Sequence, residues 1–189
     1  RISTAQDQRL RGIAGVFWQR QKHNIEQNYL IDGLAEVLEV TGRPDTIWLT
    51  KQDRQDDDVA VFGEVYYDLT EKLTGTAGVR VFKAESSLKG FFGFGPVYST
   101  SGTSGEALCD KNYGDGIGDT GGPNTGADLP DFQGAPCKNL DASTDDSDSI
   151  FKLNLAYKLT EQYLVYATYS QGFRPGGLNR RGTVPPYKP

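Results

Sequence analysis

The chain has 189 residues, with 23 Gly, 10 Tyr and 9 Phe, no Met and a formal net charge of -5. This polar, aromatic and glycine-rich composition favours an all-β chain over a helical one. The acidic balance lacks the basic surface that nucleic-acid-binding proteins need, so we predict no nucleic-acid partner. Every apolar stretch is interrupted within a few residues, far short of the roughly 20 apolar residues of a membrane-spanning helix.

Long segments of period-two alternation are the main structural signal. Apolar residues alternate with polar or small ones through most of each segment, and the pattern is cleanest where Phe, Leu and Tyr alternate with Lys and Asn. The alternation predicts strands near residues 9–22, 57–69, 72–85, 149–159 and 162–174. Soluble strands average about 5 or 6 residues, whereas a tilted membrane-crossing strand needs about 9 to 11. The lengths therefore favour transmembrane strands, with a soluble β-sandwich as the alternative.

The predicted connections alternate between short and long. Tyr67–Leu73 (YDLTEKL) and Tyr157–Tyr163 (YKLTEQY) share one turn phrase, Tyr-x-Leu-Thr-Glu, and a third short connection is expected at Ala5–Gln8. The long connections are predicted near residues 23–56, 86–148 and 175–189. Outer-membrane barrels sort their connections in this way, with tight turns at one rim and large extracellular loops at the other. We therefore predict an antiparallel, up-and-down transmembrane β-barrel segment of roughly six or seven strands.

The second long connection carries most of the candidate ligand contacts. It begins with Gly90–Gly95 (GFFGFG), and from Glu106 to Asp148 it holds nine Asp and one Glu against two Lys. Its aromatic side chains could contact a ligand at the barrel mouth, with Gly allowing the loop to move; the alternative is a solvated loop that binds nothing. The loop candidates are Phe91, Phe94, Tyr98 and Tyr113.

Cys109 and Cys137 are the two cysteines of the chain, and both lie in this connection. An even pair in a secreted context favours a disulfide, which in the chain-entropy view restricts the loop by about 3 kcal/mol. A metal or redox role is the weaker alternative, because CxxC spacing is absent and His23, the single histidine, is far away in sequence.

Acidic residues give no clear metal or catalytic site. Asp110–Asp119 partly matches a calcium loop, but the acidic ligand at the fifth position and the bidentate Glu at the twelfth are missing. Asp56, Asp57 and Asp58 are better explained as a solvated charge run than as a catalytic pair. We predict no enzyme activity, no metal and no cofactor.

Several stretches resemble successive barrel strands of TonB-dependent receptors. The phrase VYATYSQGFRPGGLN at residues 165–179 is similar to one near the C-terminal part of many such receptors. The other stretches that carry the resemblance are GVFWQ at 15–19, VAVFGEVYYDLTEKLTGTAGVRVF at 59–82 and FKLNLAYKLTEQYLVYATYS at 151–170. The resemblance implies a barrel of about 22 strands around an N-terminal plug. Because the chain begins at Arg1 without a secretory leader, we expect an internal piece that lacks the plug.

The resemblance also implies a function in the bacterial outer membrane. The expected activity is energy-coupled uptake of a scarce ligand, most often an iron-siderophore complex. The implied partners are outer-membrane lipid, the extracellular ligand and, through the missing N-terminal region, the TonB complex. Glu64, Arg80 and Thr168 are expected to face the lumen, where they either contact the ligand or only hydrate the wall and meet the plug. The alternatives are a passive porin or structural barrel, and a soluble β-sandwich that binds carbohydrate.

Overall fold

The chain forms one six-stranded antiparallel sheet in which every strand lies beside its sequence neighbours. A computed structural model describes residues 1–5, 7–99, 105–109, 129–180 and 186–187. The strands are β1 (Ile2–Ser3), β2 (Leu10–Leu30), β3 (Thr46–Asp68), β4 (Leu73–Phe94), β5 (Leu140–Lys158) and β6 (Leu164–Ser170). Two short 3-10 helices, Glu36–Leu38 and Glu106–Leu108, lie in the long connections. None of the helices in the described ranges is long and apolar enough to cross a membrane. The sheet is not closed, since β1 and β6 lie at its edges.

One side of the sheet, here called the apolar face, carries the alternating apolar residues, and these side chains are exposed. Their exposed fractions run from 42 to 76%. They are Leu10, Val16, Trp18, Val59, Val61, Val65, Tyr67, Leu69, Val79, Val81, Phe151, Leu153, Leu155, Tyr157, Leu159, Tyr163, Val165 and Tyr169. The opposite side, here called the mixed face, carries polar and aromatic residues. The alternating residues therefore do not form the interior of a globular domain.

The exposed apolar residues form a band of limited height. The band runs from Val59 on β3 to Leu69, one residue past the end of β3, which is ten residue steps or about 33 Å along the chain. At the roughly 40° tilt of barrel strands this distance becomes about 25 Å, the height of the apolar belt of outer-membrane barrels. Trp18 lies at one border of the band, and Tyr67 and Tyr163 lie near the other. Aromatic side chains at both borders are typical of a membrane-spanning belt.

The repeated turn phrase builds the same turn twice. In the first, the Thr70 hydroxyl accepts hydrogen bonds from the backbone N–H groups of Lys72 and Leu73. In the second, the Thr160 hydroxyl accepts from the N–H groups of Gln162 and Tyr163. A Thr side chain that satisfies the N–H groups two and three residues ahead replaces a backbone turn, which explains why Thr recurs at this position.

The strands extend well beyond the bounds predicted from the sequence. Residues 23–30 and 46–56 continue β2 and β3 in unbroken register up to Tyr29 opposite Trp48. Residues 86–94 and 140–148 likewise belong to β4 and β5. The predicted loops 23–56 and 86–148 were therefore too long, and the strands are joined by residues 31–45 and 95–139. Both faces of these strand ends are largely polar, so the apolar alternation that marks the lower strands is missing.

This upper part, here called the extension, comprises residues 20–30, 46–58, 82–94 and 140–150 of β2 to β5. A group of described loop residues, the cap (31–45, 105–109 and 129–139), lies against it. By strand alternation, Leu49 and Phe91 point to the same side as Val59 and Val81. Both are fully buried, in a core with Val40, Ala135 and Cys137. The apolar face is thus bare in the band and covered by the cap in the extension.

Candidate functional site

Four aromatic side chains meet at the far end of the extension and form what we call the aromatic ledge: Trp48, Phe92, Phe94 and Tyr98. The Trp48 ring meets Phe92 and Phe94 edge to face, with centroid distances of 4.7 and 4.5 Å. The centroids of Phe94 and Tyr98 are 6.0 Å apart. Trp48 lies directly opposite Phe94 in the β3–β4 ladder, on the mixed face. The Tyr98 side chain is 47% exposed, so the ledge offers free aromatic surface.

Hydrogen bonds hold the ledge in place from behind. The Trp48 indole Nε1 donates to the Thr50 hydroxyl at 3.1 Å. The Asn139 carboxamide Oδ1 accepts from the Phe92 N–H at 3.0 Å, and its Nδ2 donates to the carbonyl oxygens of Phe92 and Gly105. The Asn139 carboxamide thus ties β4 to the loop residue Gly105 and holds the backbone of Phe92 at both its N–H and its carbonyl group.

The structure distributes the predicted aromatic candidates differently from expectation. Phe94 and Tyr98 belong to the ledge, but Phe91 is completely buried in the cap core and offers no surface to a ligand. Phe91 points the other way because neighbouring strand residues alternate between faces. Trp48 and Phe92 take the place of Phe91 among the candidate ligand contacts. Sequence reasoning missed Trp48 because its segment was predicted to be loop, although the run of three apolar residues Ile47-Trp48-Leu49 was an available signal. Tyr113 lies outside the described residues, as does the Asp110–Asp119 stretch.

The glycines of this segment permit close approach of backbones. A Cβ at Gly90 would lie 2.1 Å from the Lys51 carbonyl oxygen, and one at Gly95 would lie 2.2 Å from the Glu39 carbonyl oxygen. Gly90 also has a φ of 141°, which L side chains rarely adopt. Gly90 and Gly95 thus let neighbouring backbones approach closely. That the glycines also let the loop move stays a prediction.

Covalent and polar links fasten the two loop regions of the cap to each other. Cys109 and Cys137 form a disulfide that joins residues 105–109 to residues 129–139 of the β4–β5 connection. Glu106 joins that connection to the β2–β3 loop, because its carboxylate accepts from both the N–H and the hydroxyl of Thr41 at 2.6 Å. The loops of two different hairpins are thus held as one unit.

A second set of links fastens the cap to the strands. Arg43 donates to the Gly134 carbonyl oxygen at 3.1 Å and to Glu26 at 3.0 Å, and Glu26 also pairs with Lys51. The hydrogen bond from Lys51 is the main reason why the pKa of Glu26 lies below its ordinary value, with Arg43 adding to the effect and burial opposing it. Gln133 donates to Asp53 at 2.6 Å.

The predicted lumen residues lie on the mixed face but far from the ledge. Glu64 and Lys152 form an ion pair of 3.1 Å across Gly78, where a Cβ would lie 3.2 Å from a Glu64 oxygen. Arg80 lies over the Phe17 ring, 5.2 Å from its centroid. Sixteen residues along β3 separate Glu64 from Trp48, which corresponds to about 50 Å of strand. A small ligand cannot touch both sites at once.

Thr168 also lies on the mixed face and is engaged within the wall. Its hydroxyl accepts a hydrogen bond of 2.6 Å from Asn154 on the neighbouring strand β5. The described residues contain no group of three or more His, Cys, Asp or Glu side chains placed to hold a metal ion.

Comparison with known proteins decides the family. The sequence matches the family described as "TonB dependent receptor-like, beta-barrel" over residues 4–189. The chain belongs to the TonB-dependent receptor family. The fold of the ferric yersiniabactin uptake receptor FyuA from Yersinia pestis is similar, with a TM-score of 0.58 at 15% sequence identity. That alignment covers 93% of this chain and 20% of FyuA. No curated protein sequence matches significantly.

The family assignment gives the two faces their meaning. In a TonB-dependent receptor barrel the apolar band is the lipid-facing belt, and the mixed face is the wall of the lumen. The expected all-β barrel segment is thereby confirmed, and the soluble β-sandwich alternative is wrong, since the described residues form a single sheet with a bare apolar band. The chain spans a fifth of the length of FyuA.

Proposed function

We propose that this chain supplies ligand-contacting barrel wall to an outer-membrane receptor that takes up a scarce ligand with energy delivered by the TonB complex. The aromatic ledge is the observation that carries the proposal. It lies on the lumen side, beyond the lipid belt and at the end of the barrel with the long loops, which faces the medium in outer-membrane barrels. A ligand that arrives from outside meets the ledge before it reaches the part of the wall that carries Glu64 and Lys152.

The chemistry of the ledge suits a planar or aromatic ligand. Aromatic side chains offer large contact areas with little loss of conformational freedom, and edge-to-face or offset stacking adds about 0.5–1.5 kcal/mol per ring pair beyond burial. A ferric complex of an aromatic siderophore has such groups. FyuA is a ferric yersiniabactin uptake receptor, which supports this ligand class through the family, while its low identity limits the structural support to the fold. We propose an iron-siderophore complex as the ligand.

The proposed partners follow from the same architecture. Outer-membrane lipid surrounds the apolar band, the ligand binds from the outside, and the TonB complex acts through parts of the receptor that lie outside this chain. Glu64, Arg80 and Lys152 are too far from the ledge to share the first binding site. We propose that they contact the plug or the ligand later in its passage.

The test is uptake of radioactive iron by cells that carry the full-length receptor gene. In iron-limited medium, deletion of the gene should reduce initial uptake of ⁵⁵Fe supplied with the chelators that the cells secrete. Restoring the gene with Trp48→Ala and Phe94→Ala together should leave uptake about tenfold below the intact gene, equivalent to about 1.4 kcal/mol of lost binding.

Two controls make the result specific. Val37→Ala changes another exposed apolar residue in the β2–β3 loop and should not affect uptake, because Val37 lies outside the ledge. Loss of TonB should abolish receptor-dependent uptake, whereas a passive porin would keep it. Unchanged iron uptake after gene deletion would rule out the iron ligand, and unchanged uptake by the ledge variant would rule out the ledge.

A further inference from the structure

The chain leaves the sheet abruptly after β6. The Gln171 N–H donates to the Phe151 carbonyl oxygen at 2.9 Å, as a ladder residue would. However, the Phe151 N–H donates to the Gln171 side-chain Oε1 at 3.2 Å, so the Gln171 side chain takes the place of the Gln171 backbone carbonyl as the acceptor. The ladder ends here, although the sequence pattern predicts a strand up to residue 174.

The following residues, 171–177, cross the mixed face as what we call the strap. The Phe173 ring lies against Phe82, with centroids 4.2 Å apart. Further along, the Gly176 N–H donates to the Asp146 carboxylate at 2.9 Å. Phe82 neighbours Val81 in sequence and points to the opposite side, so the strap lies on the lumen wall near the outer border of the lipid belt.

Register shows that Phe173 has a second available place. The β5–β6 pairing runs from Lys158 opposite Leu164 to Lys152 opposite Ser170. Three further steps would set Phe173 opposite Ser149, which itself pairs with Val81 on the apolar face. A continued ladder would thus place Phe173 in the lipid belt. The observed contact with Phe82 is on the other side of the sheet, so the two placements exclude each other.

The neighbouring residues fit a short continuation of the ladder. In the described part of the chain no strand pairs with the outer edge of β5 between Leu140 and Ile150. Arg174 would lie opposite Asp148, which gives a complementary charge pair across the strands. Pro175 lacks an N–H and would end the ladder there. The continuation would therefore stop at residue 174.

Gln171 accounts for the placement seen here. In a continued ladder its side chain would point to the apolar face beside Phe151, within the lipid belt. A carboxamide without hydrogen-bond partners is costly in hydrocarbon. In the strap placement the same carboxamide instead bonds the Phe151 N–H. Gln171 thus opposes the ladder and supports the strap.

The strap covers part of the lumen wall. Together with the sheet it borders a half-open polar pocket of about 210 Å³ whose lining includes Arg54, Asp56, Asp58, Asp146 and Pro175. Moving residues 171–174 into the ladder would draw the attached Pro175 and Gly176, which line this pocket, away from the wall and widen the opening of the pocket to the lumen.

We propose that residues 171–177 are a two-position gate, which either lies across the lumen wall or joins the free edge of β5. The role as a gate rests on the proposed uptake function, because the strap has to leave the lumen wall only if a ligand passes through the lumen. The two positions themselves can be tested without any ligand.

Cross-linking in the full-length receptor in outer membranes distinguishes the positions. The pair Phe82→Cys and Phe173→Cys reports the strap, and the pair Ser149→Cys and Phe173→Cys reports the ladder. Under mild oxidation we expect the first pair to cross-link at least tenfold more than the second.

Adding Gln171→Val, which removes the polar group from the lipid-facing position, should shift this ratio at least tenfold towards the ladder pair. Gln171→Asn keeps the polar group and should leave the ratio close to that of the parent.

Labelling of the pocket provides the second measurement. A water-soluble maleimide should modify Asp58→Cys slowly in the parent and at least several-fold faster in combination with Gln171→Val. Heat-modified mobility on gels shows which variants are assembled, and Gln171→Thr replaces the Val variant if that one fails to assemble. A dominant ladder cross-link in the parent, or equal ratios and labelling rates in parent and Val or Thr variant, would overturn the gate. Either result leaves the iron-uptake test unaffected.

Discussion

The apolar band and the extension are two parts of the same strands, and they differ in what covers their apolar face. The β2–β3 ladder continues without a break from Trp18 opposite Val59 to Tyr29 opposite Trp48. In the band, the apolar face is bare, as expected for the lipid-facing belt of a TonB-dependent receptor barrel. In the extension, Leu49 and Phe91 on the same side are covered by protein. The backbone pairing is the same in both parts, so the surroundings of the sheet determine which side chains can be exposed on this face.

The two regions also differ in how their neighbours are held. The band has no tertiary cover within the described residues, which agrees with the proposed lipid surrounding. The extension is covered by loops from two hairpins that are tied by the Cys109–Cys137 disulfide and by the Thr41–Glu106 contact. The aromatic ledge lies on the opposite side of the extension. Its residues Trp48, Phe92 and Phe94 therefore lie on paired strands that the cap supports, and not on a free loop.

A charge in the middle of the band should have the largest effect. In the full-length receptor, Val65→Arg places a guanidinium near the centre of the lipid belt and should cost about 2–4 kcal/mol of folding free energy. Gln55→Arg, on the same side of β3 but in the extension, should cost less than about 0.5 kcal/mol. Heat-modified mobility and urea unfolding in lipid vesicles measure both. Similar losses for the two variants would contradict the proposed border between lipid and water.

Removal of the disulfide should affect the cap and leave the band intact. The double variant Cys109→Ser and Cys137→Ser frees a loop that the bridge closes over a separation of 28 residues. It should lower the free energy of cap opening by up to about 3 kcal/mol. Hydrogen exchange of residues 31–45 and 129–139 should accelerate, while exchange of residues 59–69 stays unchanged. Equal acceleration in both regions would show that cap and band unfold together.

Acid should weaken the link between cap and strands by a small amount. Because the folded-state pKa of Glu26 is lowered, its ion pairs contribute fully above the ordinary value near 4.5 and are lost as the pH falls through the lowered value. The side chain is partly exposed, so the contribution should be less than about 1 kcal/mol. Because intrinsic amide exchange itself slows in acid, protection factors are the quantity to compare. Between about pH 6 and pH 3.5 the protection factors of the cap amides should fall more in the parent than in Glu26→Gln. An identical pH response in both proteins would exclude Glu26 as the cause.

The sequence alone determined the architecture of the apolar band, where apolar and polar residues alternate along the strands. One face in lipid and the other in a polar lumen force strict alternation, so the strands around Val59–Leu69 and Phe151–Leu159 could be predicted together with their short turns. The pair of cysteines and the repeated Thr turn were also visible, because each depends on local chemistry. The family resemblance followed from the same strands.

Tertiary structure alone decided what happens beyond the lipid. Strand ends with two polar faces have no period to detect, so the extension was taken for loop and Trp48 was overlooked. In GFFGFG the choice between Phe91 and Phe92 depends on strand register and on the cover supplied by Val40 and Ala135, which are distant in sequence. The departure of residues 171–174 from the ladder likewise depends on the competition between lipid and lumen for Gln171 and Phe173, and that competition exists only in the folded sheet.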